Sequence, residues 1–286
     1  MEKLLLPSSF KVEETGKSNE AKIIIEPCYH GYGITLGNTL RRVLLSSLPG
    51  AAVTAVKIKG APHEFAALEH VQEDVVEILL NLKQLRMRVF SAEPVRLSLE
   101  AKGEGEVTAA QIQVTSDVEI VNPNLHIATL THKNAKFEME IFVSQGRGYV
   151  PVEEKDRKKL EIGMIAIDSI FTPVINVGYK VEFVRVGEIT DFEKLILDIE
   201  TDGTVSPVSA MIQATEILVD HFNLVLSEFG GKPEVEKEIE ALKEGETMEE
   251  ATAEETVEDV EEKDEEETKK PTAKRGRKKG STNKKK

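Results

Sequence analysis

The sequence predicts an α+β fold that ends in a charged tail. Three observations lead to this class. Several segments place apolar residues at every second position, which is typical of half-buried strands. Three other segments have the 3.6-residue period of amphipathic helices. The strands and helices do not alternate regularly along the chain, so a doubly wound parallel sheet is not expected.

Strands are predicted at about 95–99, 137–143, 174–186 and 195–199, where apolar and polar residues alternate. Their spacing and the turn residues between them favour antiparallel pairing. The alternation in 174–186 is the longest of the four. This segment is therefore predicted to be one extended strand, long enough to connect two sub-domains.

Helices are predicted at 36–48, 68–85 and 206–229. The first ends at Pro49 and Gly50, and its polar face carries Arg41 and Arg42. The second has one apolar face and one face rich in Glu. The third begins with Ser206 as the expected N-cap and Pro207 at the first helical position.

The third helix has more apolar surface than one core contact needs. Its apolar arc covers roughly 160°, against about 100° for an ordinary surface helix. We expect one stripe to pack on the chain's own sheet and the other on a second copy; the alternative is a helix sunk deeper in its own core. The first stripe holds Met211, Ala214, Leu218, Phe222, Val225 and Phe229, and the second holds Val208, Ile212, Val219 and Leu226.

Charge is strongly segregated near the end of the chain. The net charge of the 286 residues is -14. Residues 234–268 contain 18 Asp and Glu against three Lys, whereas 269–286 contain ten Lys and Arg and no acidic residue. Such blocks, with almost no aromatic residues, cannot bury enough apolar surface to fold. We therefore expect a disordered tail over 230–286, after the turn signal at Gly230 and Gly231.

Composition indicates a cytoplasmic protein without a membrane span. The chain is 40% apolar and 31% charged, and no apolar run approaches the ~18 residues of a transmembrane helix. The first residues lack the apolar stretch and cleavage site of a secretory signal. The single cysteine, Cys28, cannot form a disulfide framework.

No motif for catalysis, a cofactor or a metal is found. The segment 31–38, GYGITLGN, resembles a phosphate loop in position but has Leu36 where a dinucleotide fingerprint needs Gly, and it lacks the Lys-Ser/Thr pair of a P-loop. Gly31 and Gly33 are instead expected to form tight turns before the helix. The six His and Cys28 do not have metal-ligand spacing. A scaffold is favoured over an enzyme, with an undetected nucleotide-binding enzyme as a weaker alternative.

Several segments closely resemble the bacterial RNA polymerase alpha subunit, and together they extend over about 1–229. They are 26–27 (EP), 31–33 (GYG), 35–50 (TLGNTLRRVLLSSLPG), 63–65 (HEF), 71–74 (VQED), 77–83 (EILLNLK), 146–151 (GRGYVP), 167–174 (IDSIFTPV) and 201–207 (TDGTVSP). The resemblance implies a dimerisation sub-domain formed by 1–49 and 177–229, a sheet with two helices, into which a β-rich sub-domain of 50–176 is inserted.

The resemblance also implies a function: the chain homodimerises and then docks the beta and beta-prime subunits of DNA-directed RNA polymerase, a nucleotidyltransferase in which this subunit is non-catalytic. Arg42 matches the arginine that the family uses to dock beta; two solvated arginines on a helix are the alternative. The implied docking residues are Gly37, Asn38, Arg41, Arg42, Tyr149 and Asp168. The implied dimer interface comprises Leu36, Leu40, Val43, Leu44, Met211, Leu218, Phe222 and Val225.

The chain departs from the family after Phe229. A typical alpha subunit continues into a compact helical domain that binds DNA, and the charged tail has no core-forming pattern that could replace it. Two roles are open for the basic block: it contacts DNA phosphates without sequence preference, or it is only a solubilising extension. With DNA contacts, a nucleic-acid-binding dimer is the alternative function. The residues expected to make these contacts are Lys274, Arg275, Arg277, Lys278 and Lys279.

Overall fold

The computed structural model describes residues 4–155, 161, 163–187 and 189–231, so that the charged blocks 234–268 and 269–286 lie outside the described residues. The predicted α+β class is confirmed. The elements are β1 (Ser9–Glu14), β2 (Glu20–Cys28), α1 (Tyr32–Ser46), β3 (Pro49–Ile58), α2 (Val75–Lys83), β4 (Met87–Val89), β5 (Val95–Lys102), β6 (Gly105–Thr108), β7 (Ile112–Gln113), β8 (Val118–Ile120), β9 (His126–Leu130), β10 (Lys136–Arg147), β11 (Tyr149–Val150), β12 (Ile165–Ala166), β13 (Ser169–Ile170), β14 (Val174–Val186), β15 (Ile189–Thr201) and α3 (Pro207–Glu228).

A four-stranded antiparallel sheet with the order β1-β2-β15-β14 forms the first layer of the fold. Alternate residues of β2 and β15 face one side of this sheet, as the period of two predicts. Side chains of α1 and the start of α3 pack onto that side. The resulting first core includes Ile23, Ile25, Leu40, Leu44, Leu195, Leu197, Ile199, Ala210 and Ala214.

A second core lies within the segment between β3 and β12. Its main sheet has the order β12-β3-β10-β5-β7, and two-stranded ribbons β4-β8 and β6-β9 and helix α2 complete it. The alternation predicted for 137–143 is observed, because Phe137, Met139, Ile141 and Val143 are all buried. The two cores use separate parts of the chain, 23–48 with 174–214 and 53–167. That the first of them is a dimerisation sub-domain stays a prediction.

Helix α1 begins earlier than its apolar pattern predicts. It starts at Tyr32 rather than at 36, directly after Gly31, whose φ of 83° reverses the chain direction. A positive φ is readily adopted only by glycine, so Gly31 does form the expected turn. Gly33 does not, because it lies inside the helix together with Gly37.

Helix α2 is shorter than predicted. It covers Val75–Lys83 rather than 68–85, because Asp74 caps its first turn by accepting a hydrogen bond from the backbone nitrogen of Glu77 at 2.7 Å. The preceding Val71 forms an isolated bridge with Leu130 of β9. Residues 69–70 form a turn and Val71 pairs with β9, although the apolar spacing of 68–73 resembles that of a helix.

The predicted limits of β14 and α3 are confirmed, whereas one detail of β14 differs. Ser206 accepts a hydrogen bond from the backbone nitrogen of Ser209 at 3.2 Å, and Pro207 begins the helix. In β14 the register shifts between Val174 and Asn176, so that Ile175 is exposed while Val174 and Val177 are buried. The bulge removes Ile175 from the face that strict alternation assigns to it. Among the described residues, packing assigns the part of the chain up to His221 to one unit and the part of α3 from Phe222 onward to another.

Candidate assembly surface

The buried face of α1 lies unusually close to the first sheet. Gly33, Gly37, Leu40 and Leu44 form this face. A Cβ atom on Gly37 would lie 2.7 Å from Cδ2 of Tyr179 and 2.9 Å from Cδ1 of Leu195, so a larger residue fits there only if these side chains or the helix shift. The family-implied docking residue Gly37 is therefore a packing residue, and its docking role stays a prediction.

The first turn of α1 is bound by a carboxylate of β15. The backbone nitrogens of Gly31 and Gly33 donate to Oε1 and Oε2 of Glu193, each at 2.9 Å. Glu193 is only 4% exposed. Its carboxylate accepts the hydrogen bonds of the backbone amides that would otherwise bind a phosphate, which argues against a phosphate site in this segment.

Glu193 was not among the predicted site residues, although the sequence contains a signal for it. Leu195, Leu197 and Ile199 alternate on the buried face of β15, and two residues further back the same face holds Glu193. An acidic residue at a core-facing position of a strand indicates a specific partner, because a buried unpaired carboxylate is costly.

The opposite face of α1 is exposed and mostly polar, although it also carries Ile34, which is 56% exposed. Asn38, Arg41 and Arg42 lie on it. Within the described part of the chain, neither arginine forms an ion pair with a carboxylate. Both guanidinium groups are therefore available to a partner, and such groups bind carboxylates in a bidentate geometry.

Tyr149 is placed next to the end of α1 that carries Arg42. The hydroxyl of Ser46, in the last turn, donates to the carbonyl oxygen of Arg42 at 2.8 Å. The carbonyl oxygen of Ser46 would lie 3.3 Å from a Cβ atom on Gly148, the residue before Tyr149. Since Tyr149 is also exposed, the structure brings these two predicted docking positions into one surface region.

Asp168, the third predicted docking position in this region, is already bonded within its own chain. Its carboxylate accepts from Nζ of Lys83 at 2.8 Å and from the backbone nitrogen of Val152 at 3.0 Å. The Lys83 ammonium, assisted by the Val152 amide, holds the pKa of Asp168 below its ordinary value. Its docking role stays a prediction.

A second internal bond network was not predicted. Nζ of Lys155 donates to Oγ of Ser169 at 2.7 Å, to the carbonyl oxygen of Thr54 at 3.0 Å, and to the carbonyl oxygen of Ile167. Burial lowers the pKa of Lys155 to about 8. Nothing in the sequence distinguishes this lysine from its charged neighbours, because all its acceptors are remote or belong to the backbone.

Helix α3 has a buried and an exposed apolar face. Pro207, Ala210 and Ala214 are its buried residues. Val208, Ile212 and Val219, from the second predicted stripe, are 41%, 53% and 48% exposed. At about 100° per residue these three lie within roughly 40° of one another, on the side away from the alanines. The structure therefore leaves the second stripe uncovered.

Burial divides the residues of the predicted dimer interface into two groups, and the interface itself stays a prediction. Leu40 and Leu44 are buried in the first core, so their side chains offer no surface to a second chain. Leu36, Val43, Met211 and Leu218 pack partly against the same core, whereas Phe222 and Val225 are exposed. The exposed stripe contains Val208, Ile212 and Val219 instead, which the family-implied set omits.

The described residues contain no cluster of three or more His, Cys, Asp and Glu side chains arranged to hold a metal ion. Cys28 is buried, and burial raises the pKa of its thiol. Among the described helices, none is both long and apolar enough to cross a membrane. The predicted DNA contacts, Lys274, Arg275, Arg277, Lys278 and Lys279, lie outside the described residues.

Comparison with known proteins shows the family. Residues 56–172 match the family described as RNA polymerase Rpb3/RpoA insert domain. The DNA-directed RNA polymerase subunit alpha of Symbiobacterium thermophilum is 51% identical over 228 residues, covering 80% of this chain and 71% of that protein. The subunit alpha of Oceanobacillus iheyensis is 48% identical over 218 residues, covering 76% of this chain and 69% of that protein. With this identity over more than two thirds of each relative, the chain belongs to the family of bacterial RNA polymerase alpha subunits.

Proposed function

We propose that this chain is a non-catalytic scaffold of DNA-directed RNA polymerase, which homodimerises and then docks the beta and beta-prime subunits. The observation that carries the proposal is the exposed stripe of Val208, Ile212 and Val219 on α3. An exposed apolar stripe on a helix that buries only Pro207, Ala210 and Ala214 is typical of a protein interface. Catalysis, cofactor binding and metal binding are assigned to other subunits.

The outer face of α1 supports the docking step. Arg41 and Arg42 are exposed on a helix whose inner face is fixed to the sheet at Gly33 and Gly37. A guanidinium group on a rigid helix is well suited to bind a partner, because the helix itself loses little conformational freedom on binding. Tyr149, beside the same end of α1, adds an exposed aromatic ring, a residue type enriched at binding hot spots.

The docking step is tested by Arg42→Ala in the full-length dimer. Truncation of a central interface arginine commonly costs about 2 kcal/mol or more, which corresponds to roughly a thirtyfold loss of affinity. Arg185→Ala is the control, since Arg185 is also exposed but belongs to β14 rather than to α1, and its guanidinium group donates to the carbonyl oxygen of Gly187. Affinity for purified beta subunit is measured by titration. Wild-type affinity of Arg42→Ala would remove this residue from the docking surface.

A second function, non-specific DNA binding, is favoured by the ten Lys and Arg in 269–286. The log-log slope of affinity against salt changes by about 0.9 for each phosphate neutralised, which sets a ceiling of about nine for this block. The adjacent acidic block, 234–268, competes for the same charges, so we expect about a third of that ceiling. Promoter-fragment binding by enzyme truncated after Lys232 is compared with that by full-length enzyme from about 50 to 200 mM salt. Superimposable curves would leave the tail without a DNA role.

A further inference from the structure

Helix α1 has no capping side chain of its own at its N-terminus. The N-cap position is Gly31, which has no side chain, and the first turn contains no acidic residue. The first four amides of any helix lack partners within the helix. Ser, Thr, Asp or Asn usually supplies a partner at the N-cap position.

Glu193 supplies this cap from β15, about 160 residues later in the chain. The register of β15 places Glu193 opposite Cys28, at the end of the strand that leads into α1. From there each carboxylate oxygen accepts one amide, that of Gly31 or that of Gly33. The negative charge also interacts favourably with the positive end of the helix dipole.

The contact requires glycine at position 33. A Cβ atom on Gly33 would lie 2.8 Å from Oε2 of Glu193 and 3.0 Å from Cγ1 of Val181. One turn later, Gly37 lies against Tyr179 and Leu195 in the same manner. The first two turns of α1 are therefore held by a carboxylate and by close packing, which together fix the direction of the helix axis.

The arginines lie further along that axis. Arg42 follows Gly33 by nine residues, so it is displaced by roughly 13 Å at 1.5 Å per residue. A tilt of the first turn thus changes the direction in which the outer face of α1 presents its guanidinium groups.

We propose that Glu193 is a positioning residue for subunit docking, because it holds the N-terminus of α1 and thereby orients Arg42. This inference rests on the docking role proposed for Arg42. Glu193 itself is buried and touches no partner; it acts through the helix. Its contribution to binding is therefore expected to depend on Arg42 being present.

A double-mutant cycle on the full-length dimer tests this dependence. Glu193→Ala alone is expected to weaken binding of purified beta subunit by about tenfold, within the range of coupled residues. In the Arg42→Ala background, the same substitution is expected to weaken binding by less than about twofold. Glu182→Ala is the control, because Glu182 lies on the neighbouring strand β14 and pairs with Lys180 and Lys194 at the surface.

Glu193→Gln provides a milder variant if removal of the side chain prevents folding. The amide keeps one acceptor oxygen, so its affinity is expected to lie between those of wild type and Glu193→Ala. Hydrogen exchange in the first turn of α1 is expected to accelerate in both variants. In Glu193→Ala the amides of Gly31 and Gly33 lose their acceptors, and in Glu193→Gln they share a single, uncharged acceptor oxygen.

The outcomes separate the two proposals. Equal weakening by Glu193→Ala in both backgrounds would show general structural support and overturn the positioning role, as would wild-type affinity of Glu193→Ala and Glu193→Gln. Wild-type affinity of Arg42→Ala would refute the docking role of Arg42 instead.

Discussion

The two cores of the chain differ in how completely each is covered. In the second core, large side chains such as Phe137, Met87 and Ile127 are almost fully buried within the chain. In the first core, α3 buries only Pro207 and two alanines, while larger apolar residues of the same helix remain exposed. The large side chains of the second core are therefore enclosed within one chain, although Phe65 and Phe90 of the same segment are exposed, whereas α3 of the first core leaves apolar side chains uncovered, as the proposed dimer requires.

Strand β1 shows the same incompleteness at the edge of the first sheet. Phe10 and Val12 pair in register with Ile25 and Ile23 of β2. Paired residues share one face of a sheet, so Phe10 and Val12 lie on the face that carries the helices. They are nevertheless exposed, unlike their partners. The helix layer thus ends before it reaches β1.

The largest expected effect on stability comes from a substitution that leaves a cavity in the second core. Phe137→Ala is expected to destabilise the protein by about 3–5 kcal/mol, because it removes a buried aromatic ring and leaves a cavity. Urea denaturation followed by circular dichroism measures the change. Phe142→Ala, on the same strand but only half-buried, is the control and should cost much less. Equal losses for the two variants would contradict the division between the faces of β10.

A substitution on the exposed surface of the first core is expected to weaken dimerisation rather than to destabilise the folded chain. Val219→Glu places a charge in the exposed stripe of α3, where a dimer would bury it without a partner. We expect the thermal midpoint of the monomer to change little. The free energy of dimerisation is expected to become less favourable by about 2 kcal/mol or more. Sedimentation velocity measures the oligomeric state.

His221→Glu is the control for this prediction. His221 is exposed and lies about 200° around the helix from Val219, on a different face. The substitution His221→Glu introduces the same negatively charged side chain at a position outside the exposed stripe. A fully dimeric Val219→Glu variant would show that another surface forms the dimer.

Local patterns in the sequence predicted much of the fold. The period of two identified β5 and β10 in the second core and β14 and β15 in the first, and Ser206 with Pro207 located the start of α3. These features depend on neighbouring residues, which is why one sequence suffices to find them. The start of α2 was misplaced because Leu68 and Val71 continue its apolar spacing, while the capping by Asp74 decides the boundary.

The candidate surface was less predictable because its shape depends on contacts between distant segments. Gly33 was expected to form a turn, yet Gly33 and Gly37 allow α1 to approach strands more than 140 residues away in the sequence. The bonds of Glu193 and Lys155 are also non-local or go to the backbone. The exposure of Arg41 and Arg42 was predictable from helical period alone, whereas the burial of Leu44 against the chain's own sheet required the structure.

The smallest expected effect concerns a polar clamp at the edge of the second core, formed by His126, Glu73 and Glu106. Nε2 of His126 lies 2.9 Å from Oε1 of Glu73, and Nδ1 lies 2.9 Å from Oε1 of Glu106. Only a doubly protonated ring donates to both carboxylates. The bond to Glu73 raises the pKa of His126 above its ordinary 6.5, against the effect of burial and with help from Glu106.

Glu73 is affected in the opposite direction. Burial acts to raise its pKa, but bonds from the Thr129 backbone, His126 and the Thr129 hydroxyl together hold the pKa of Glu73 below its ordinary 4.5. Its contribution to stability is therefore present above pH 4.5 and is lost only as pH falls through the lowered value. Between about pH 6 and 9 it stays constant, so the change in this range comes from the histidine of the clamp.

A raised pKa in the folded state means that the contribution of His126 is complete below pH 6.5 and is lost as pH rises through the raised value. Since the ring is 37% exposed, we expect a loss of stability below about 1 kcal/mol.

Lys155 has the opposite pH dependence. Its pKa is lowered to about 8 in the folded protein, so the unfolded chain binds more protons and stability rises with pH above that value. The difference in thermal midpoint between wild type and His126→Gln cancels the Lys155 contribution, because both proteins contain that lysine. This difference should shrink from about pH 6 to 9. A difference that stays constant over this range would show that His126 contributes by packing and neutral hydrogen bonds rather than by its charge.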